Sequence, residues 1–116
     1  MFLAQLVDDV VIKKWEINKN EITIGRHPTN DIQIDEISVS GHHAMIIVQE
    51  SEFFEGTKSA FLRDLGSTNG SFVNKIKILD RQELRNKDEV KIAYNYFTFI
   101  NDEEIILEQT AHILQE

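Results

Sequence analysis

An all-β fold is what this sequence predicts, on three observations. Short runs rich in Val, Ile and Phe alternate with polar residues. These runs are bounded by Gly, Asn, Asp and Ser and recur roughly every eight to twelve residues, the spacing of a β-sandwich or barrel. No long helical period falls among them. With 116 residues the chain has the size of one domain, and a composition 41% hydrophobic and 28% charged is that of a globular protein able to bury a core.

The elements follow in chain order. Phe2–Val7 and Val10–Ile17 are two strand-like runs divided by Asp8-Asp9. Glu21–Gly25 puts Ile22 and Ile24 on one face and is followed by a turn at His27-Pro28-Thr29-Asn30-Asp31. Ile32 and Ile34 alternate briefly, and Ala44–Val48 is a continuous apolar run, the pattern of a strand covered on both sides. Ala60–Leu65, Ser71–Val73, Ile76–Ile78, Glu83–Arg85, Val90–Ala93 and Tyr96–Ile100 complete the series. Residues 1–100 form the expected sandwich. Residues 101–116 form an acidic tail or linker, in which Ile106, Leu107, Ala111, Ile113 and Leu114 share one side at helical spacing and suggest a short C-terminal helix.

Composition excludes several classes. The chain has no cysteine, so disulfide scaffolds, thiol nucleophiles and thiolate metal sites are out. No apolar run reaches the ~18 residues of a membrane helix, and the N-terminus does not have the pattern of a signal peptide, so the expectation is a cytoplasmic protein without a membrane partner. The net charge is −8; the tail holds five acids and no Lys or Arg, which leaves 12 basic against 15 acidic residues, net −3, in the first hundred. Such a body lacks the basic stripe that a nucleic-acid backbone requires. An anion would have to bind at a small local site.

Three loops carry polar residues that strand formation leaves unexplained. Gly25-Arg26 ends a strand; the glycine would permit an unusual backbone angle and the arginine enters a loop. Ser38-Val39-Ser40-Gly41-His42-His43 precedes the Ala44 strand, where serines and histidines can simply satisfy backbone groups. Gly66-Ser67-Thr68-Asn69-Gly70 contains Asn-Gly, a strong hairpin signal that does not call for Thr68.

Taken together, Gly25-Arg26, Ser40-x-x-His43 and Asp64-Leu65-Gly66-Ser67-Thr68-Asn69-Gly70-Ser71-Phe72-Val73-Asn74 closely resemble the forkhead-associated (FHA) domain family. Asn30-Asp31-Ile32, Leu84, Asp88–Ile92 and Phe97-Thr98-Phe99 extend the resemblance from about residue 2 to residue 100. It implies an eleven-stranded β-sandwich that binds a phosphothreonine peptide on the loops of one end. Partners would be phosphothreonine proteins and components of Ser/Thr kinase pathways, with neither metal nor cofactor implied. On this reading Arg26 pairs with the phosphate through its planar fork, Ser40 donates a hydroxyl proton, Thr68 adds a contact through its hydroxyl or its amide, and Asn69 reads the peptide backbone. Charge-assisted bonds of roughly 1.5–3 kcal/mol each, less the cost of ordering the peptide, fit micromolar affinity, about −8 kcal/mol. Gly25, His43 and Gly70 support the loops. In the family the glycine lets the arginine loop turn and the histidine braces the loops from beneath. His27, Gly41, His42 and Asn74 border the pocket or the peptide edge.

The chain also departs from the family pattern. Gly41 stands where an arginine, lysine or asparagine is frequent, and Ser38 where some members carry a basic residue that selects acidic peptides. Lys87 and Ala93 occupy positions where glycine is common, at turns expected away from the pocket, and Asp31, Asp35 and Glu36 could repel an acidic peptide if they faced the groove.

Two other functions compete. A phosphate-independent interaction or oligomerisation module would use a sandwich face or the apolar side of the tail; a stable dimer that binds no phosphopeptide, in sedimentation with and without residues 102–116, favours it. Catalysis would need Ser40 with His42 or His43 as nucleophile and base. No strained nucleophile elbow is present, adjacent histidines are poorly spaced as metal ligands, and the acids Asp64 and Asp35 have no evident place as orienters. Hydrolysis of a phosphothreonine peptide that Ser40→Ala abolishes would establish it.

Overall fold

The computed structural model describes residues 1–103, and among them eleven strands build two sheets. The strands are β1 (Phe2–Val7), β2 (Val10–Glu16), β3 (Glu21–Gly25), β4 (Ile32–Gln33), β5 (Ala44–Glu50), β6 (Lys58–Asp64), β7 (Ser71–Val73), β8 (Ile76–Lys77), β9 (Arg81–Leu84), β10 (Glu89–Ile92) and β11 (Asn95–Ile100). The first sheet has the order β2-β1-β11-β10-β7-β8 and the second β4-β3-β5-β6-β9. Neighbours pair antiparallel except β3 and β4, which run parallel. The expected all-β sandwich is therefore what forms. The apolar segment expected to be helical begins beyond residue 103 and lies outside the described residues.

Period-two patterning fills the space between the sheets. Leu3, Val73, Val90, Ile92, Phe97 and Phe99 of the first sheet and Ile22, Ile24, Ala44, Ile46, Val48, Ala60, Leu62 and Leu84 of the second are all buried in one core. Trp15 packs at the margin, its ring 6.0 Å from that of Phe97.

Three expectations change. The β5 run is not covered on both sides: Ala44, Ile46 and Val48 are buried while Met45 and Ile47 are only half-buried. Their cover comes from register partners on the adjacent strands, Thr23 and Arg63 beside Met45, Glu21 and Phe61 beside Ile47. Second, β9 begins at Arg81 rather than Glu83 because pairing with β6 places Arg81 opposite Arg63 and Leu84 opposite Ala60. Third, Ala93 is not remote from the candidate loops, since its amide donates to the Gly70 carbonyl at 3.1 Å. Both Ala93 and Lys87 lie in the left-handed region, with φ of 54° and 71°, where glycine is favoured.

Register sets up the candidate site. Ile24 pairs with Ala44, and Ala44 pairs with Asp64, so the end of β3, the start of β5 and the end of β6 reach the same end of the sandwich. The three polar loops found in the sequence emerge there side by side.

Candidate functional site

The three loops are bonded into one unit. The Arg26 amide donates to the Ser40 carbonyl at 3.0 Å, and the His27 amide to the Gly41 carbonyl at 3.2 Å. The Thr68 amide donates to Ser40 Oγ at 3.1 Å, and Asn69 Nδ2 to the Ser38 carbonyl at 2.7 Å. Arg26, Ser40, Thr68 and Asn69, up to 43 positions apart in the chain, thus share one end of the molecule.

Beneath them lies a buried polar floor. His43 is fully buried. Its Nδ1 accepts from the Ser40 amide at 3.1 Å and its Nε2–H donates to the Gly70 carbonyl at 2.8 Å, which defines the Nε2–H tautomer. The His43 amide donates to Ile24 O, and its carbonyl accepts from the Leu65 amide. The side chain therefore joins the serine loop to the Gly66–Gly70 loop, and the backbone ties both to the end of β3.

Gly25 is needed for a reason other than the one expected. Its φ is not in the left-handed region. A Cβ there would lie 2.2 Å from the Gly41 carbonyl oxygen, so the glycine lets two backbones touch. Gly70, at φ 84°, does need the left-handed conformation.

Three contributors stood in the sequence motifs without an assigned role in bracing the loops. Asn30 is buried, and its Nδ2 bridges the His27 carbonyl at 2.8 Å and the Gly41 carbonyl at 2.7 Å, clamping the arginine loop to the serine loop. Asp64 Oδ2 accepts from the amides of Gly66 and Ser67, both at 3.0 Å, and Oδ1 from the hydroxyls of Ser67 at 2.6 Å and Ser71 at 2.7 Å. Ser67 Oγ in turn accepts from the Gly70 amide at 3.0 Å and closes the loop. Partial burial pushes the Asp64 carboxyl upward, but the donors of Ser67, Ser71 and Gly66 outweigh it and hold the group below the usual carboxylate range. The Asp-x-x-Ser spacing at 64–67, an acceptor followed by a hydroxyl one turn later, was the available signal. Asn30 offered only its place in a turn and in the Asn30-Asp31-Ile32 match, neither of which showed its contact, because its partner Gly41 is eleven residues away.

The groups at the rim are largely uncommitted. Among the described residues the Arg26 guanidinium has no hydrogen-bond or ion-pair partner; its backbone carbonyl accepts from Gln33 Nε2. Ser40 Oγ accepts the Thr68 amide and keeps its own proton to donate. Since the Thr68 amide is spent on Ser40, its hydroxyl is the group left for a ligand. Asn69 gives one of its two side-chain N–H groups to Ser38, which leaves the second N–H and the side-chain carbonyl without a partner among the described residues. His27 and His42 stack with ring centroids 5.7 Å apart, and His27 Nδ1 is held by Thr29. Gly41 faces open space, with no atom within 4 Å of where a Cβ would lie. Asn74 sits elsewhere: its side chain bonds Asp88 and the Glu89 amide, at the opposite end of β7 from Gly70. Asp31 is engaged by Lys19 at 2.6 Å and by Thr23; the Lys19 contact and the Thr23 amide hold its carboxyl below the usual range.

The fold and these loops define a class: a β-sandwich frame that presents a set of cross-braced polar loops at one end. A family model, the FHA domain, matches residues 22–93, and the chain belongs to that family. Its relatives include the oxoglutarate dehydrogenase inhibitor of Corynebacterium efficiens, 36% identical over 87 residues that cover 75% of this chain and 56% of that protein. The glycogen accumulation regulator GarA of Mycobacterium tuberculosis is 37% identical over 76 residues, 66% of this chain and 42% of that one. The chain spans about half the length of the curated relatives it matches. Among solved structures, Mycobacterium tuberculosis EmbR in complex with a low-affinity phosphopeptide superposes with a TM-score of 0.71 at 29% identity, over 85% of this chain and 24% of that one. The FHA domain of CT664 from Chlamydia trachomatis, at 24% identity, shares the fold with a TM-score of 0.74 over 86% of this chain and 95% of that one.

Proposed function

We propose that this chain is a phosphothreonine-peptide binding module of Ser/Thr phosphorylation signalling, acting in the cytoplasm by recognition rather than catalysis. The observation that carries the reading is the contrast at the loop end. The Arg26 and Ser40 backbones are bonded to each other and Ser40 is bonded to Thr68, yet among the described residues the guanidinium and both hydroxyl protons are unspent. A phosphothreonine brings nearly two negative charges and three strong acceptor oxygens, which match one bidentate cation and two hydroxyl donors. Asn69 would accept a peptide amide on its free side-chain carbonyl. The bound phosphopeptide in the EmbR neighbour supports this reading, and the names of the curated relatives, a regulator and an enzyme inhibitor, support a role in binding proteins.

The same geometry weighs against hydrolysis. Of the two histidines weighed as a base for Ser40, His43 is committed elsewhere, its Nδ1 accepting from the Ser40 amide and its Nε2–H donating to Gly70, while His42 stacks on His27 and no hydrogen bond joins it to Ser40 among the described residues.

Fluorescence anisotropy with a degenerate phosphothreonine peptide library provides the test. Micromolar binders are expected that are lost on dephosphorylation and weakened about thirtyfold in Arg26→Ala; equal binding of unphosphorylated peptides would overturn the assignment.

A further inference from the structure

The first sheet turns one face to the core, and the register defines what stands on the other. Lys77 pairs with Phe72, Phe72 with Lys91, Lys91 with Tyr96, Tyr96 with Leu6 and Leu6 with Val11. These six residues form one continuous row across all six strands. A solvated sheet face is ordinarily polar. Here the row is basic and aromatic near β8 and aliphatic towards β2, with Tyr96 44% and Val11 47% exposed.

The row begins at the candidate site. A Cβ on Gly70 would lie 3.1 Å from Lys77 Cε and 3.2 Å from the Phe72 ring, so both side chains rest against the Asn69-Gly70 backbone. Lys91 Nζ lies 4.7 Å from the centre of the Phe72 ring, 5.6 Å from that of Tyr94 and 5.7 Å from that of Tyr96. The rings hold the ammonium in place but do not neutralise it. Among the described residues neither Lys77 nor Lys91 has a carboxylate partner. Glu89 and Glu16 stand one and two register steps back on the same face. In a chain of net charge −8, this row sets two lysines without carboxylate partners among the described residues beside three aromatic rings. Their charge calls for an acidic partner, and the rings and aliphatic groups beyond call for an apolar one.

We propose that this row is a second docking surface, continuous with the loop end, for an acidic and then apolar segment flanking the phosphothreonine of the partner protein. The inference rests on the phosphothreonine reading for its anchor and extends it to the partner's flanking sequence. Two strand spacings separate Lys77 from Lys91, about 10 Å, which an extended peptide covers in about three residues. The whole row spans about 24 Å, roughly seven residues, so acids belong nearest the phosphothreonine and apolar side chains farther out.

The test uses anisotropy on the full chain with three phosphothreonine peptides: one with neutral flanks, and two with an acidic-then-apolar flank placed before or after the phosphothreonine. One of the flanked peptides should bind about tenfold tighter than the neutral one. In Lys77→Gln/Lys91→Gln and in Tyr96→Ser that advantage should vanish while the neutral peptide binds as before; Arg26→Ala should weaken all three. No gain from either flank, or a gain that survives both sets of substitutions, overturns the proposal. An unphosphorylated acidic–apolar peptide at millimolar concentration, followed by amide chemical shifts, separates the two readings. Shifts at Lys91 and Tyr96 without any phosphothreonine binding would sink the anchor and keep the row. Absence of such shifts together with absence of phosphothreonine binding would sink both.

Discussion

The floor and the rim of the loop end obey opposite rules. On the floor, His43, Asp64, Ser67 and the Nδ2 group of Asn30 all have their partners within the protein, and Asn30 Oδ1 is the exception, buried without a partner among the described residues. At the rim, the Arg26 guanidinium and the Ser40 and Thr68 hydroxyl protons have none among the described residues. Buried polar groups are tolerable only when satisfied, and a satisfied network is rigid. That rigidity holds the uncommitted groups together before any ligand arrives, so less ordering is left to oppose binding. Damage to the floor should therefore appear as lost stability, and damage to the rim as lost binding alone.

Gly25→Ala breaks the comparison most severely. Its methyl would enter the space of the Gly41 carbonyl, 2.2 Å away, and backbone cannot rotate aside as a side chain can. A loss of about 3 kcal/mol is expected, roughly a 10 °C fall in Tm by calorimetry, together with loss of phosphopeptide binding. An unchanged Tm would mean the two loops are not in contact.

Arg26→Ala tests the rim. Binding should fall about thirtyfold, ~2 kcal/mol, with stability within about 0.5 kcal/mol of the parent. A comparable loss of stability would show the guanidinium to be part of the frame.

Asp64→Asn returns to the floor. It puts an amide where two backbone N–H groups and two hydroxyls now donate, and should cost about 1.5 kcal/mol at pH 7 in urea unfolding. The parent carboxyl lies below its unfolded value, so its contribution is whole above about pH 4 and is lost as the pH falls through the lowered folded value. The acid-limb slope should shrink in Asp64→Asn. Asp31 contributes with the same sign, but chiefly through Lys19, so added salt should weaken its share and leave that of Asp64, set by neutral donors, in place.

Gly41→Arg sharpens the contrast with the smallest effect. The position is open and its φ is not left-handed, so a second cation can stand beside Ser40 without disturbing the floor. Affinity for a phosphothreonine peptide should rise about fivefold, ~1 kcal/mol, with Tm unchanged.

Most of the frame was legible along the chain, because burial of one face imposes a local period of two. Strands such as Glu21–Gly25 and Ser71–Val73 fall where that period places them. The β9 start was not legible, since Arg81 and Gln82 are exposed and join the strand only through pairing with β6. The residues at the site were legible as types. Their commitments were not: Gly25 for contact rather than for φ, Asn69 with one N–H given to Ser38, Asn74 drawn to Asp88 and Glu89.

Order and chemistry of residues were enough to specify a two-layer β frame and to mark Arg26, Ser40, Thr68 and Asn69 as its polar loop groups. Folding decided which of their atoms remain free, because a hydrogen bond depends on distances between loops up to 43 positions apart, and no local pattern encodes those. It also decided that Asn30 and His43 lie beneath them, and that a row from Lys77 to Val11 crosses six strands whose order in the sheet differs from their order in the chain.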